Sequence, residues 1–167
     1  MSPSIAATRT LYLLRHGEAA YGAPGVGDHE RPLAAKGREQ AANAGVVLLG
    51  KPVDMVLSST AKRALETAEL TKVQPAILGK PELYNASVMR LRAVIARIPE
   101  YVQRVLVVGH SPGIPDLVRL VADDRSDQAA KDLVRYSFPP GTLVGLDFID
   151  SWGDLHKARL FLARKFV

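Results

Sequence analysis

Two histidines and two arginines stand where strand ends and a helix start would gather them. His16 sits between Arg15 and Gly17 at the end of Thr10-Leu11-Tyr12-Leu13-Leu14, and His110 follows Gly109 at the end of Val105-Leu106-Val107-Val108. Arg63 lies just past Ser58-Ser59-Thr60, in the first turn of an alanine-rich segment. Guanidiniums are planar, permanently charged forks that match the equatorial oxygens of a phosphoryl group. A neutral imidazole is a nucleophile near pH 7, and a second can donate a hydrogen bond as charge shifts. Phosphoryl transfer asks mainly for positioning and charge stabilisation, which this set supplies without a metal. Plainer readings stand beside this one: Arg15 ending in solvent while His16 caps a core, and Arg63 pointing into water.

Both histidine-bearing runs are apolar at successive positions and too short for ordinary helices. Such runs read as strands covered on both faces, as in a parallel sheet, whose ligands collect beyond the strand carboxyl ends. Gly17 lets the backbone turn sharply beside His16. Ala19 to Arg31, rich in Gly and Pro, reads as a loop next to the histidine. A helix runs from after Pro32 to about Leu49, with Gly50 as its stop, and a second strand spans Val53 to Leu57. The helix carrying Arg63 turns its amino terminus toward His16; an arginine is unfavourable there on dipole grounds, which points to an anion nearby.

Farther along, Ala76-Ile77-Leu78 is a short strand and Pro81 to Ser87 a loop, with Ser87 capping a helix through Ile98 whose apolar stripe is core. The strand Val105 to Val108 leads through Gly109-His110-Ser111-Pro112-Gly113 into a helix from about Ile114 to Val121. A helix near Gln128 to Tyr136, a Pro139-Pro140-Gly141 break, and strands Thr142 to Ile149 and Leu155 to Leu162 complete the chain. The last two strands read as a hairpin. The expected architecture is a single α/β domain over residues 1–167, a three-layer α/β/α sandwich with a mostly parallel sheet, an antiparallel edge and a loose tail from Met1 to Arg9.

The 167 residues are 47% hydrophobic and 23% charged, the composition of an ordinary globular domain. The absence of cysteine excludes disulfides, thiolate catalysis and cysteine-ligated metals. No run approaches the roughly 20 apolar residues of a membrane span, and the expectation is a soluble, unprocessed, cytoplasmic protein with no membrane partner. A net charge of +5 favours anionic substrates or acidic protein surfaces. Because the arginines are scattered and aromatics make up only 6%, nucleic acid is not an expected partner. A metal held by His16, His110 and Asp116 is disfavoured, since the nearby arginines would repel the cation.

Leu14-Arg15-His16-Gly17-Glu18, Arg31-Pro32-Leu33, Gly37-Arg38-Glu39-Gln40-Ala41, Ser58-Ser59 with Arg63-Ala64 and Thr67-Ala68, and Val108-Gly109-His110-Ser111-Pro112-Gly113 together resemble the histidine phosphatase (phosphoglycerate-mutase-like) superfamily. The short chain and the Pro81-Glu82-Leu83-Tyr84-Asn85-Ala86 stretch are similar to its small phosphohistidine-phosphatase branch. The resemblance implies a covalent mechanism without cofactor. His16 would attack phosphorus in line and become phosphohistidine, Arg15, Arg63 and His110 would hold the transferred group, and water would release it. Larger relatives place an acid after the third strand, where Glu82 is the nearest candidate, with a solvated carboxylate as the plainer reading. Arg31 would be a further anion ligand and Glu18 a brace for the turn after His16.

Ala34, Thr60 and Ser111 depart from the family pattern without removing a reacting group. Since only Gly79 to Ser87 separates the third strand from the next helix, where larger relatives insert a lid, the site should be shallow and open. That favours a phosphorylated protein side chain such as phosphohistidine over a small sugar phosphate, and disfavours mutase chemistry. The alternatives are a general small-molecule phosphomonoesterase and, from another class, an idle phosphoprotein-binding module. Oligomeric state is not legible.

Overall fold

A computed structural model describes residues 7–167, and the expected tail up to residue 6 lies outside them. Six strands form one sheet: β1 (Arg9–Arg15), β2 (Met55–Ser59), β3 (Ile77–Lys80), β4 (Arg104–Gly109), β5 (Leu143–Phe148) and β6 (Arg159–Arg164). Their spatial order is β3-β2-β4-β1-β5-β6. The first four run parallel, and β5 and β6 close one edge in antiparallel sense.

Alternation along the strands sorts the core into two layers. On one face Leu11, Leu13, Val105 and Val107 pack against α3 (Val88–Ala96), α4 (Gly113–Val121) and α5 (Gln128–Arg135). On the other, Tyr12, Leu14, Leu106 and Val108 meet α1 (Ala35–Leu48) and α2 (Lys62–Leu70). This is the expected α/β/α sandwich. Both faces of β1 and β4 are covered, which is why their sequences read as unbroken apolar runs. Ser87 caps α3 by accepting from the Arg90 N–H, whereas Ala34 gives α1 no side-chain cap.

Element boundaries differ from the sequence expectation by one to four residues, and three of the differences have a visible cause. Arg9 belongs to β1 rather than to the tail, because it pairs opposite Phe148 and its guanidinium bridges the Glu100 carboxylate and the Asp150 carbonyl. The second strand begins at Met55, since the Asp54 carboxylate instead grips the Arg104 guanidinium at 2.9 and 3.0 Å. The last strand begins at Arg159. A single helical turn at Trp152–Asp154 buries the Trp152 ring, whose Nε1 donates to the Val102 carbonyl, and Ala158 then bridges to Ala122.

Leu13 is fully buried between β4, β5 and the helix layer. Leu13→Ala should cost about 2–5 kcal/mol in transfer and cavity terms. Urea denaturation monitored by circular dichroism measures it, and a loss under about 1 kcal/mol would contradict the packing described.

Candidate active site

Strand register brings the two histidines together. β1 and β4 are parallel neighbours with Arg15 opposite Gly109, so His16 and His110 each emerge one residue beyond the same sheet edge. The His16 N–H donates to the Gly109 carbonyl at 3.0 Å, and the two rings lie 5.0 Å apart between centroids. Gly17 then passes so close to α1 that a side chain there would collide with the Gly37 backbone. Its N–H is held by Thr67 Oγ1 of α2 at 3.0 Å, and the next N–H, of Glu18, by Gln40 Oε1 of α1 at 2.8 Å. The turn is clamped from both helices of one layer.

Hydrogen bonds assign the tautomer of His16. Its Nδ1–H donates to the Gly17 carbonyl at 2.7 Å, which leaves Nε2 as the acceptor nitrogen, and its lone pair receives Arg63 Nε–H at 3.4 Å. Ser59 Oγ, at the end of β2, receives the Ala61 N–H and lies 2.7 Å from His110 Nε2. The other ring nitrogen, His110 Nδ1, is buried with no partner among the described residues. Arg15 is similar: Nη1 donates to the Phe138 carbonyl at 2.7 Å, while its buried Nε has no partner among the described residues. Unsatisfied buried polar atoms are rare enough to call for a ligand.

The electrostatics agree. Burial, reinforced by Arg63, Arg15 and Arg31, pushes His16 down to about 4 against the opposing Gly17 hydrogen bond. Burial and the neighbouring His16 and Arg63 push His110 down to about 3. Both imidazoles are therefore neutral near pH 7. Arg15 is lowered by burial and then by Arg63, a pair of guanidiniums sharing one desolvated corner. Like charges held together out of water favour an anion between them.

These groups line an open cleft of about 360 Å³ with Arg31, Glu18, Asn85, Ser111 and Pro140. A larger groove of about 590 Å³ lies at the far ends of α1 and α2. It is walled mainly by aliphatic side chains and holds none of these groups. Arg15, His16, Arg31, Arg63 and His110 thus stand together as the sequence predicts. Glu82 does not join them. The single turn Pro81–Leu83 buries Leu83, which leaves Glu82 exposed along a separate groove with Met55, Lys80 and Arg97. Asp116 pairs with Arg119 on its own helix at 3.7 Å.

Sequence reasoning missed Asp28 and Tyr84. Asp28 begins a short turn, Asp28–Glu30, inside the Gly- and Pro-rich loop, and meets Arg63 through its carbonyl at 2.8 Å and Oδ2 at 3.1 Å. Tyr84 follows Leu83 and donates its hydroxyl to the same carboxylate. That hydroxyl, with Arg31 and Arg63, holds Asp28 down to about 2. An aspartate three residues before Arg31 in a glycine-rich loop was the available signal.

Residues 11–87 match the model of the histidine phosphatase superfamily, branch 1. A structure from Nakamurella multipartitia, described provisionally as a phosphohistidine phosphatase SixA, is 36% identical, with a TM-score of 0.83 over 97% of this chain and 98% of that one. The chain belongs to the histidine phosphatase superfamily. Among superfamily members it is also similar to a structure from Agrobacterium tumefaciens given the same provisional description, 29% identical with a TM-score of 0.77 over 94% of this chain and 97% of that one. The uncharacterized protein Rv1276c of Mycobacterium tuberculosis is 33% identical over 145 residues, 85% of this chain and 91% of the relative. This histidine phosphatase is a phosphatase of the SixA-like branch. No helix among the described residues is long and apolar enough to cross a membrane.

The buried neutral histidines have a consequence for stability. Below pH 6.5 the unfolded chain protonates both rings, while the folded chain resists until about 4 and 3. Stability should therefore fall as pH drops from 6.5 toward 3, and His110→Asn should show a shallower fall. Thermal melts across that range test it, and equal slopes in the two proteins would contradict a buried neutral His110.

Proposed function

We propose that this histidine phosphatase hydrolyses phosphohistidine, or another phosphorylated protein side chain, through a metal-independent phosphoenzyme formed on His16. The observation that carries the reading is the lone pair of His16 Nε2, fixed by the Nδ1 bond to Gly17 and faced by Arg63 Nε at 3.4 Å. In-line attack forms the bond from Nε2 to phosphorus as the bond to the leaving atom breaks. Arg15, Arg63 and the Nδ1–H of His110 receive the equatorial oxygens, with Arg31 at the rim. Water then attacks phosphorus from the vacated side and returns Nε2 with its lone pair.

The leaving group decides the substrate class. An alkoxide needs a proton as it departs, but Glu82, the expected donor, faces a different groove. An imidazole already protonated on its second nitrogen departs as a neutral molecule and asks for no such acid. The openness of the cleft also suits a side chain presented by a protein, since Gly79 to Ser87 contributes only a short strand end, one helical turn and a cap. The charge of +5 draws in such an anion.

Rapid-quench labelling with a phosphohistidine peptide and with an aryl phosphate tests both parts. Wild type should yield an acid-labile, base-stable phosphoenzyme, faster from the peptide. His16→Ala should give no label and lose turnover by on the order of a thousandfold or more. Undiminished turnover in His16→Ala would refute the mechanism, and a faster aryl donor would shift the substrate reading to small phosphomonoesters. Binding of the peptide with neither label nor turnover would mark an idle binding module.

A further inference from the structure

We infer that Asp28 is a positioning residue of the active site, whose carboxylate fixes the Arg63 guanidinium against His16 and tempers the positive charge that phosphate meets. The inference rests on the phosphoryl-transfer reading above. Three segments converge on this side chain. Arg63, on α2, engages Nη1 with the Asp28 carbonyl at 2.8 Å and Nη2 with Oδ2 at 3.1 Å, which leaves Nε facing His16 Nε2 at 3.4 Å. Arg31 donates Nη1 to Oδ1 at 3.1 Å and is itself steadied by Nε on the Ala20 carbonyl at 3.0 Å. Tyr84, between β3 and α3, donates its hydroxyl to Oδ2. Its ring meets His110 edge-on at 5.6 Å between centroids and lies 5.9 Å from the Arg63 guanidinium carbon.

What Asp28 touches is the site, not the core. Its side chain is 46% exposed while that of Arg63 is 6% exposed, so the carboxylate grips a buried cation from the solvent side. Exposed ion pairs contribute little to folding. A long guanidinium stem otherwise samples many rotamers, and the grip of carbonyl and carboxylate holds one, with Nε–H directed at His16 Nε2, the atom to which a phosphoryl group would bond. Displacement by about an ångström at such a site costs on the order of a hundredfold in rate. The negative charge has a second effect. Arg15, Arg31 and Arg63 unopposed would hold inorganic phosphate more tightly and release it more slowly, and Asp28 offsets part of that attraction.

The test uses the full chain and two readouts: kcat with the phosphohistidine peptide, and affinity for inorganic phosphate by titration calorimetry. Asp28→Ala should lower kcat by on the order of tenfold to a hundredfold and bind phosphate more tightly. Asp28→Glu should recover the wild-type phosphate affinity and part of kcat. Tyr84→Phe, which removes one hydroxyl and leaves the charge, should lower kcat less than Asp28→Ala and hardly move phosphate affinity; it also tests the proposal if Asp28→Ala does not fold. A purely structural role would weaken turnover and phosphate binding together, and that result overturns the proposal. So would unchanged values in Asp28→Ala, or a higher kcat, which would make the carboxylate a competitor of the phosphoryl group. A wild type that neither binds phosphate nor labels His16 would overturn the underlying reading instead.

Discussion

The parallel pairing of β1 with β4 is the constraint on which the site depends. Because Arg15 stands opposite Gly109, each strand releases its histidine at the same height, and the His16 N–H closes onto the Gly109 carbonyl as the last link of the ladder. A slip of one residue would turn every side chain of β1 to the opposite face. Leu11 and Leu13 would exchange layers with Tyr12 and Leu14, and the histidines would separate. Core packing therefore fixes the register, and the register brings the two histidines together. Gly141 adds a further clasp by donating to both the Arg15 and His16 carbonyls, so the antiparallel edge is tied to the same turn.

Burial shapes the chemistry of what the register assembles. A histidine in water would be partly protonated near neutrality; here desolvation keeps His16 and His110 neutral. The arginines remain charged and incompletely satisfied. The corner thus combines an unprotonated imidazole nitrogen, receiving only the long bond from Arg63, with an unpaired Arg15 Nε, the kind of pairing that phosphoryl transfer uses. Ser59 and Thr67, both buried, are the quiet partners: one meets His110 Nε2, and the other holds Gly17 while its own hydroxyl donates to the Arg63 carbonyl.

Much of this was legible because it follows from period and punctuation. Apolar runs ended by Arg15-His16-Gly17 and Gly109-His110 announced buried parallel strands with polar carboxyl ends, and the unfavourable place of Arg63 announced an anion. Asp28 was not legible, because its contacts with Arg63 and Tyr84 are long-range and arise only when the loop folds across α2. Glu82 was misplaced for a related reason. Sequence puts it beside Tyr84, yet one helical turn buries Leu83 and leaves the carboxylate along another groove. The start of β6 was misread because Leu155 is apolar for the core rather than for the ladder: it is buried beside Trp152, and the chain joins the sheet only at Arg159, after Ala158 has bridged to Ala122.

Nitrogen-15 and phosphorus-31 NMR of the trapped phosphoenzyme, with histidine labelled at both ring nitrogens, identifies the nitrogen bonded to phosphorus. The account predicts one-bond coupling at Nε2 of His16, with Nδ1 still protonated and bonded to the Gly17 carbonyl. Coupling at Nδ1 of His16, at His110, or at no nitrogen would contradict it.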